Sequence, residues 1–215
     1  MFTPKPFEEA DLGRLRAVVE ANSFGLLVSN GPEAPTASHL PFMIDLDTET
    51  GEGVLHCHMA RANPHWQAIE ANPNVLSVFA GAHGYISPRW YTTKVAVPTW
   101  NYVAVHVYGT ARTEHDPAAL RDHLERLIAV HETGRPEPWS LAEPPATFIE
   151  KMLTGIVGIE IAIARIEGKR KMSQNRTPED QAGVIAALRA EGTERGLQLA
   201  AEMAPDDFSW YRNDV

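Results

Sequence analysis

The sequence predicts a mainly β protein, an antiparallel barrel with peripheral helices. Three observations carry that expectation. About six segments show the period-2 alternation or the branched-residue runs of strands. Turns and irregular loops join most of them, so the strand–helix alternation of a parallel sheet is missing. A chain of 215 residues with 44% hydrophobic content can also bury one sizeable core.

The elements follow in order. Residues 8–22 set Leu12, Leu15, Val18 and Val19 at helical spacing behind N-terminal acids. "FGLLVSN" (24–30) reads as a strand closed by the turn signal Asn30-Gly31-Pro32. "TASHLPFMIDL" (36–46) reads as a second strand, "TETGEG" (48–53) as a turn and "VLHCHM" (54–59) as a third strand. In "RANPHWQAIEANPN" (61–74), Asn63 is an N-cap before a proline at the first helical position, and Trp66 and Ile69 share a face. That helix should stop near Asn72-Pro73. "VLSVFAGA" (75–82) is a strand, and "YISPRWYTTKVAVPT" (85–99) a structured loop.

The clearest strand is "WNYVAVHVYGTARTEH" (100–115), with Val103, Val105 and Val107 on one face and Tyr102, Ala104, His106 and Tyr108 on the other. Asp116-Pro117 opens a helix carrying Leu120, Leu124, Leu127 and Ile128. A proline-rich loop and a short helix, "ATFIEKML", come next. "IVGIEIAIARI" (156–166) alternates Val157, Ile159, Ile161 and Ile163 against small residues and one glutamate, a strand again. Thr177 caps a helix with Glu179 and Asp180 in its first turn, ending near Gly192. There is no internal repeat and no convincing linker. The expectation is residues 1–176 as one domain with helical insertions and 177–215 as its C-terminal helical extension.

Composition narrows the function classes. No apolar run reaches the roughly 18 residues of a membrane span, and the charged N-terminus is not a signal peptide. Cys57 is the lone cysteine, so no intramolecular disulfide forms and a reducing, cytoplasmic compartment is expected. A net charge of −9 opposes non-specific binding to a phosphate backbone. No helix-turn-helix signature offsets it, so direct DNA binding is not expected.

Candidate chemistry is sparse. His56 and His58 point to one face of a strand, as an H-x-H metal pair would, but no acid follows in residues 59–64 and plain strand histidines are the simpler reading. Ser38 and His39 are adjacent and therefore diverge. No nucleophile elbow and no glycine-rich phosphate loop exists. "MARANPHW" offers Arg61, an Asn cap and free first-turn amides to an anion, although a capped surface helix explains the same residues. Tyr85, Trp90, Tyr91, Trp100 and Tyr102 could wall a flat heteroaromatic ligand, or fill a core or interface.

The most unusual stretch is "EGKRKMSQNR" (167–176). An acidic chain here crowds Lys169, Arg170, Lys171 and Arg176 at a strand end. A continuing strand sends Lys169, Lys171 and Ser173 to one side and Arg170 and Met172 to the other. A solvated strand end, its charge balanced by acids elsewhere, is the ordinary outcome. Cations interleaved with Ser173, Gln174 and Asn175 also suit one small phosphorylated ligand.

"SHLPF", "HMARANPHW", "YISPRWY", "VPTWNYVAVHVYG" and "GIVGIEIAIARIEGKRKMSQNR", in this order and spacing, resemble the PaiB-like family of FMN-binding negative transcriptional regulators. The resemblance runs from residue 1 to near 189. It implies an antiparallel split β-barrel of the pyridoxamine-phosphate-oxidase-like type, a homodimer and FMN as cofactor. Carried to this chain, it gives Arg61 and Asn63 the phosphate, with help from Ser38 and His39. Trp100 and Asn101 would border the ring, and Lys171, Ser173 and Gln174 would reach its polar edge or a phosphate. Arg89, Arg170 and Met172 depart from the family's usual residues. The functions implied are a flavin-dependent redox protein or indirect negative regulator, a flavin reductase using NAD(P)H, or a haem-binding relative.

Overall fold

The computed structural model describes residues 1–31 and 33–204. Pro32 of the expected turn and the expected extension beyond residue 204 lie outside the described residues. Eight strands form one antiparallel sheet among the described residues, in the order β3-β2-β6-β7-β8-β5-β4, with β1 paired to β8. In chain order these are β1 (Glu8–Glu9), β2 (Phe24–Asn30), β3 (Pro35–Pro41), β4 (Met43–Leu46), β5 (Gly53–Ala60), β6 (Asn74–Ile86), β7 (Thr99–Glu114) and β8 (Ile156–Lys171). Six helices accompany them: α1 (Leu12–Ala21), α2 (His65–Ala71), α3 (Pro117–Glu132), α4 (Ala146–Leu153), α5 (Pro178–Glu191) and α6 (Glu194–Glu202).

Helix limits follow local capping chemistry. Asp116 accepts from the Ala119 amide before Pro117, and Thr177 from the Asp180 amide before Pro178. Gly192 closes α5 in the left-handed conformation at φ 64°. Three differences from the sequence reading change the topology or the element type. Glu8 and Glu9 pair with Lys169 and Gly168 as a strand instead of opening α1, whose cap is Asp11 accepting from Arg14. Residues 36–46 divide into two strands, because the chain changes partners at Phe42: β3 pairs with β2 and β4 with β5, while the Phe42 amide donates to the Ser23 carbonyl. The segment 85–99 contains the end of β6 and a 3-10 turn at Pro88–Trp90.

The described residues divide into two compact units. One comprises residues 1–22, 79–106 and 166–204; the other comprises 23–78, Pro32 aside, and 107–165. β6, β7 and β8 each contribute residues to both. In the first unit, α1 buries Leu15, Val18 and Val19, and α5 and α6 bury Val184, Leu188 and Leu199. Gly168 is required there: a Cβ would lie 2.1 Å from Leu15 Cδ2 and 2.7 Å from the Glu9 carbonyl. In the second unit, Leu120 of α3 packs with Ile149 and Leu153 of α4. Val103, Val105 and Val107 are buried as the alternation requires, and so are Val157, Ile159 and Ile161.

Candidate functional site

The second unit gathers a polar cluster around the start of α2. Strand pairing places Leu27 opposite Ser38 and Ser29 opposite Thr36, with Ser29, Thr36 and Ser38 on the more buried side of β2 and β3. His65, the first residue of α2, is buried among them. Its Nδ1 lies 2.8 Å from Ser38 Oγ and its Nε2 2.9 Å from Ser29 Oγ. Asn63 donates from Nδ2 to Ser38 Oγ at 3.1 Å, and its Oδ1 accepts the His65 amide at 3.0 Å. Asn63 thus serves the helix start as expected, although α2 begins one residue later than the sequence suggested. Burial lowers the His65 pKa, which keeps the ring neutral.

The other expected phosphate donors stand apart from this cluster. His39 occupies the opposite face of β3, stacked on Phe24 with ring centroids 6.0 Å apart. Arg61 donates from Nε and Nη2 to the Thr154 and Ile156 carbonyls, both at 2.9 Å, and Nη1 lies 3.2 Å from His115 Nδ1. Trp66 Nε1 donates to the Arg61 carbonyl at 2.9 Å, so the arginine is held in a fixed pose. Two of its five N–H groups remain for another acceptor.

In the first unit the basic stretch resolves into four different roles. β8 ends at Lys171, and Ser173 turns the chain with φ 63°, a left-handed value costly for a non-glycine residue. Its hydroxyl is buried against Asn101, which donates to it from Nδ2 at 3.0 Å and lies within 3.4 Å of Met203 Sδ. Gln174 closes the same turn, accepting the Met172 amide and donating to the Arg170 carbonyl. Lys169 is buried, with its ammonium 5.1 Å from the Tyr102 ring and donating to the Phe2 carbonyl. Arg170 pairs with Glu202 of α6 at 2.7 Å. Arg176 lies 4.6 Å over the Tyr91 ring. The expected solvated strand end is therefore largely buried, because α6 and the N-terminal residues cover it.

Lys171 differs from its neighbours. Its ammonium donates to Thr99 Oγ1 and, at 2.7 Å, to the Trp100 carbonyl, both neutral oxygens. No carboxylate among the described residues neutralises it. Burial, then the charges of Lys169 and Arg176, lower its pKa. Next to it Trp100 is 49% exposed, with His83 nearly parallel at 6.2 Å and Tyr85 edge-on at 6.3 Å. These rings, Trp90, Glu191 and Arg195 line an open cleft of about 450 Å³. Of the aromatic set read from the sequence, Tyr85, Trp90 and Trp100 thus form a wall, whereas Tyr91 is buried in packing.

The histidine pair does not converge. His56 Nε2 meets Asp45 at 3.0 Å, while His58 Nδ1 meets His123 Nε2 at 2.9 Å. No cluster of three or more metal-ligating side chains occurs among the described residues. No helix among them is long and apolar enough to cross a membrane. Sequence reasoning missed His65, Ser29 and Thr99. A histidine directly after Asn-Pro was the available signal for the first, but its two serine partners lie 27 and 36 residues away.

Each unit thus presents polar groups of its own: hydroxyl, amide and guanidinium donors in the second, and an ammonium held on neutral oxygens in the first. Comparison with known proteins identifies the family. A family model described as "Putative FMN-binding domain" matches residues 1–165. The chain is 36% identical over 206 residues to the protease synthase and sporulation protein PAI 2 of Bacillus subtilis, covering 94% of this chain and 96% of that one. Its fold matches the flavocytochrome Anf3 of Azotobacter vinelandii with a TM-score of 0.61 at 16% identity, over 82% and 75% of the two chains. It also matches the FAD- and haem-binding protein of Mycobacterium smegmatis with a TM-score of 0.55 at 16% identity, over 81% and 78%. Fold, family model and full-length similarity coincide, and the chain belongs to the PaiB-like family of FMN-binding split β-barrel proteins.

Proposed function

We propose that this protein acts as an FMN-dependent redox protein, a cytoplasmic homodimer whose regulatory effects run through partners instead of direct contact with DNA. The observation that carries the reading is the Lys171 ammonium, held on two neutral oxygens, the Thr99 hydroxyl and the Trp100 backbone carbonyl, with no carboxylate partner among the described residues. A cation without a counter-ion is costly in a partly buried place unless an anionic or electron-rich group joins it. In the same unit, Asn101, Ser173 and Gln174 hold the turn that presents Lys171. The other unit has anion donors of its own, Ser38 with Asn63 in the cluster at α2 and, separately, the two uncommitted N–H groups of Arg61. His39 stands on the opposite face from Ser38 and has a separate role.

Bound FMN supplies reversible electron and hydride transfer, and an adjacent cation favours its anionic reduced form. The chain's own contribution is to bind, orient and tune. Charge supports the indirect route to regulation, since a dimer carries about twice the −9 of one chain.

The test is a visible spectrum of protein purified without added cofactor, repeated after incubation with FMN and desalting. A retained flavin band is expected, and Lys171→Met should weaken FMN binding by about tenfold, the worth of one charge-assisted hydrogen bond. Absence of a flavin band after reconstitution overturns the reading; a haem band would redirect it. Oxidation of NAD(P)H by the loaded protein separates a reductase from a regulator. Sedimentation tests the dimer, and a salt-sensitive shift of promoter DNA would restore direct repression.

A further inference from the structure

The hydrogen-bond inventory around His65 can be closed proton by proton. The His65 backbone N–H can only donate, so the Asn63 side-chain atom it meets is the oxygen, and the Asn63 amide group must face Ser38. Ser38 Oγ therefore already accepts one hydrogen bond. A neutral imidazole carries one N–H, which leaves two arrangements for the Ser29–His65–Ser38 chain.

In the first, Nε2 carries the proton and donates to Ser29, while Ser38 donates its hydroxyl to Nδ1. The Ser29 hydroxyl proton is then left without a partner. Ser29 is only 3% exposed and has no other hydrogen-bond partner among the described residues, so this proton would be buried and unsatisfied. In the second, Ser29 donates to Nε2 and Nδ1–H donates to Ser38. Every buried group is then paired. Ser38 accepts two hydrogen bonds, from Asn63 and His65, and its own proton is the one left over. Ser38 is partly exposed, so water or a ligand can take that proton.

We infer that His65 is a positioning residue that fixes Ser38 as an obligate donor, building a subsite for an acceptor-only oxygen such as that of a phosphate. With both lone pairs of Ser38 occupied, a ligand hydroxyl or amide N–H finds no acceptor there. The subsite thus discriminates by chemistry as well as by charge. Ser29 acts on it at one remove, by holding Nε2 as the acceptor. The inference rests on the FMN reading for the identity of the phosphate, and on the protein's own inventory for everything else.

Riboflavin, which lacks the phosphate, provides the control. Dissociation constants for FMN and riboflavin are measured by flavin fluorescence with wild type, Ser38→Ala, Ser29→Ala and the double variant. Ser38→Ala should reduce the preference for FMN by about tenfold. Ser29→Ala should reduce it by about threefold, without changing riboflavin affinity, and should have no further effect when Ser38 is already alanine. Equal losses for both flavins, or independent effects of the two serines, would mean a merely structural role and overturn the inference. A second readout needs no flavin: the ring nitrogens of His65, observed by ¹⁵N NMR in the ligand-free protein, should show the Nδ1–H tautomer. The Nε2–H tautomer would refute the proposal. If wild type binds neither flavin, the FMN reading fails by itself, and the tautomer still decides this one.

Discussion

Cutting the ion pair between Arg170 and Glu202 should destabilise the protein unequally, depending on which partner is removed. Arg170 Nε lies 2.7 Å from Glu202 Oε1, and the side chains are 20% and 5% exposed. Arg170 Nη2 also donates to the Glu202 carbonyl, at the last residue of α6. Arg170→Met strands the more buried charge and leaves a helix-end carbonyl without its donor. Breaking a buried pair in this way costs about 3–5 kcal/mol, or roughly 6–20 °C in Tm at 2–4 °C per kcal/mol. Glu202→Gln leaves an amide oxygen for Arg170, whose guanidinium retains some contact with water. Its cost should be only about 1–2 kcal/mol. Replacing both, as Arg170→Met with Glu202→Leu, removes the stranded charge and should recover most of the loss. Urea denaturation of the four proteins at constant m-value supplies the comparison. Should Glu202→Gln cost as much as Arg170→Met, or the double variant cost their sum, the pair would not be the buried lock described here.

Acid should unfold the protein through its histidine pair. His123 is depressed to about 4, first by burial and then by the charges of His58, His56 and Arg126. The unfolded chain takes up a proton below pH 6.5 that the folded protein refuses, so stability is full above 6.5 and falls towards 4, by about 2 kcal/mol at pH 5. His123→Gln should remove about that 2 kcal/mol from the stability lost in melts between pH 7 and 5; parallel profiles would exclude this histidine as the cause. Asp180 is held down to about 2, chiefly by the Thr93 amide and then by the Thr92 and Thr93 side chains and the Thr92 amide. Its contribution is present above pH 4 and lost as pH falls through 2, so the Tm gap between wild type and Asp180→Asn should close over that window. Gly168→Ala forces a Cβ against Leu15 and the Glu9 carbonyl, and should cost about 2 kcal/mol, measured by chemical denaturation.

The sequence by itself determined much of the frame. The Thr177-Pro178 start and Gly192 end of α5, the Asp116-Pro117 start of α3 and the valine alternation in β7 are local signals, and local backbone chemistry obeys them. It misjudged Glu8 and Glu9, because acids near a helix start look the same when their partner strand lies 160 residues on. It also ran β3 into β4, since alternation says nothing about a change of neighbour at Phe42. Five motifs in register identified the family, yet they could not rank the four cations of the basic stretch. Only the tertiary structure decided that Glu202 neutralises Arg170, that Lys169 is buried near the Tyr102 ring and that Lys171 meets only neutral oxygens among the described residues. The same holds for His65, whose role depends on hydroxyls from two strands. Spacing along a chain encodes interactions within a few residues; which charge is satisfied and which proton is left over depends on groups brought together by folding, and no local pattern records them.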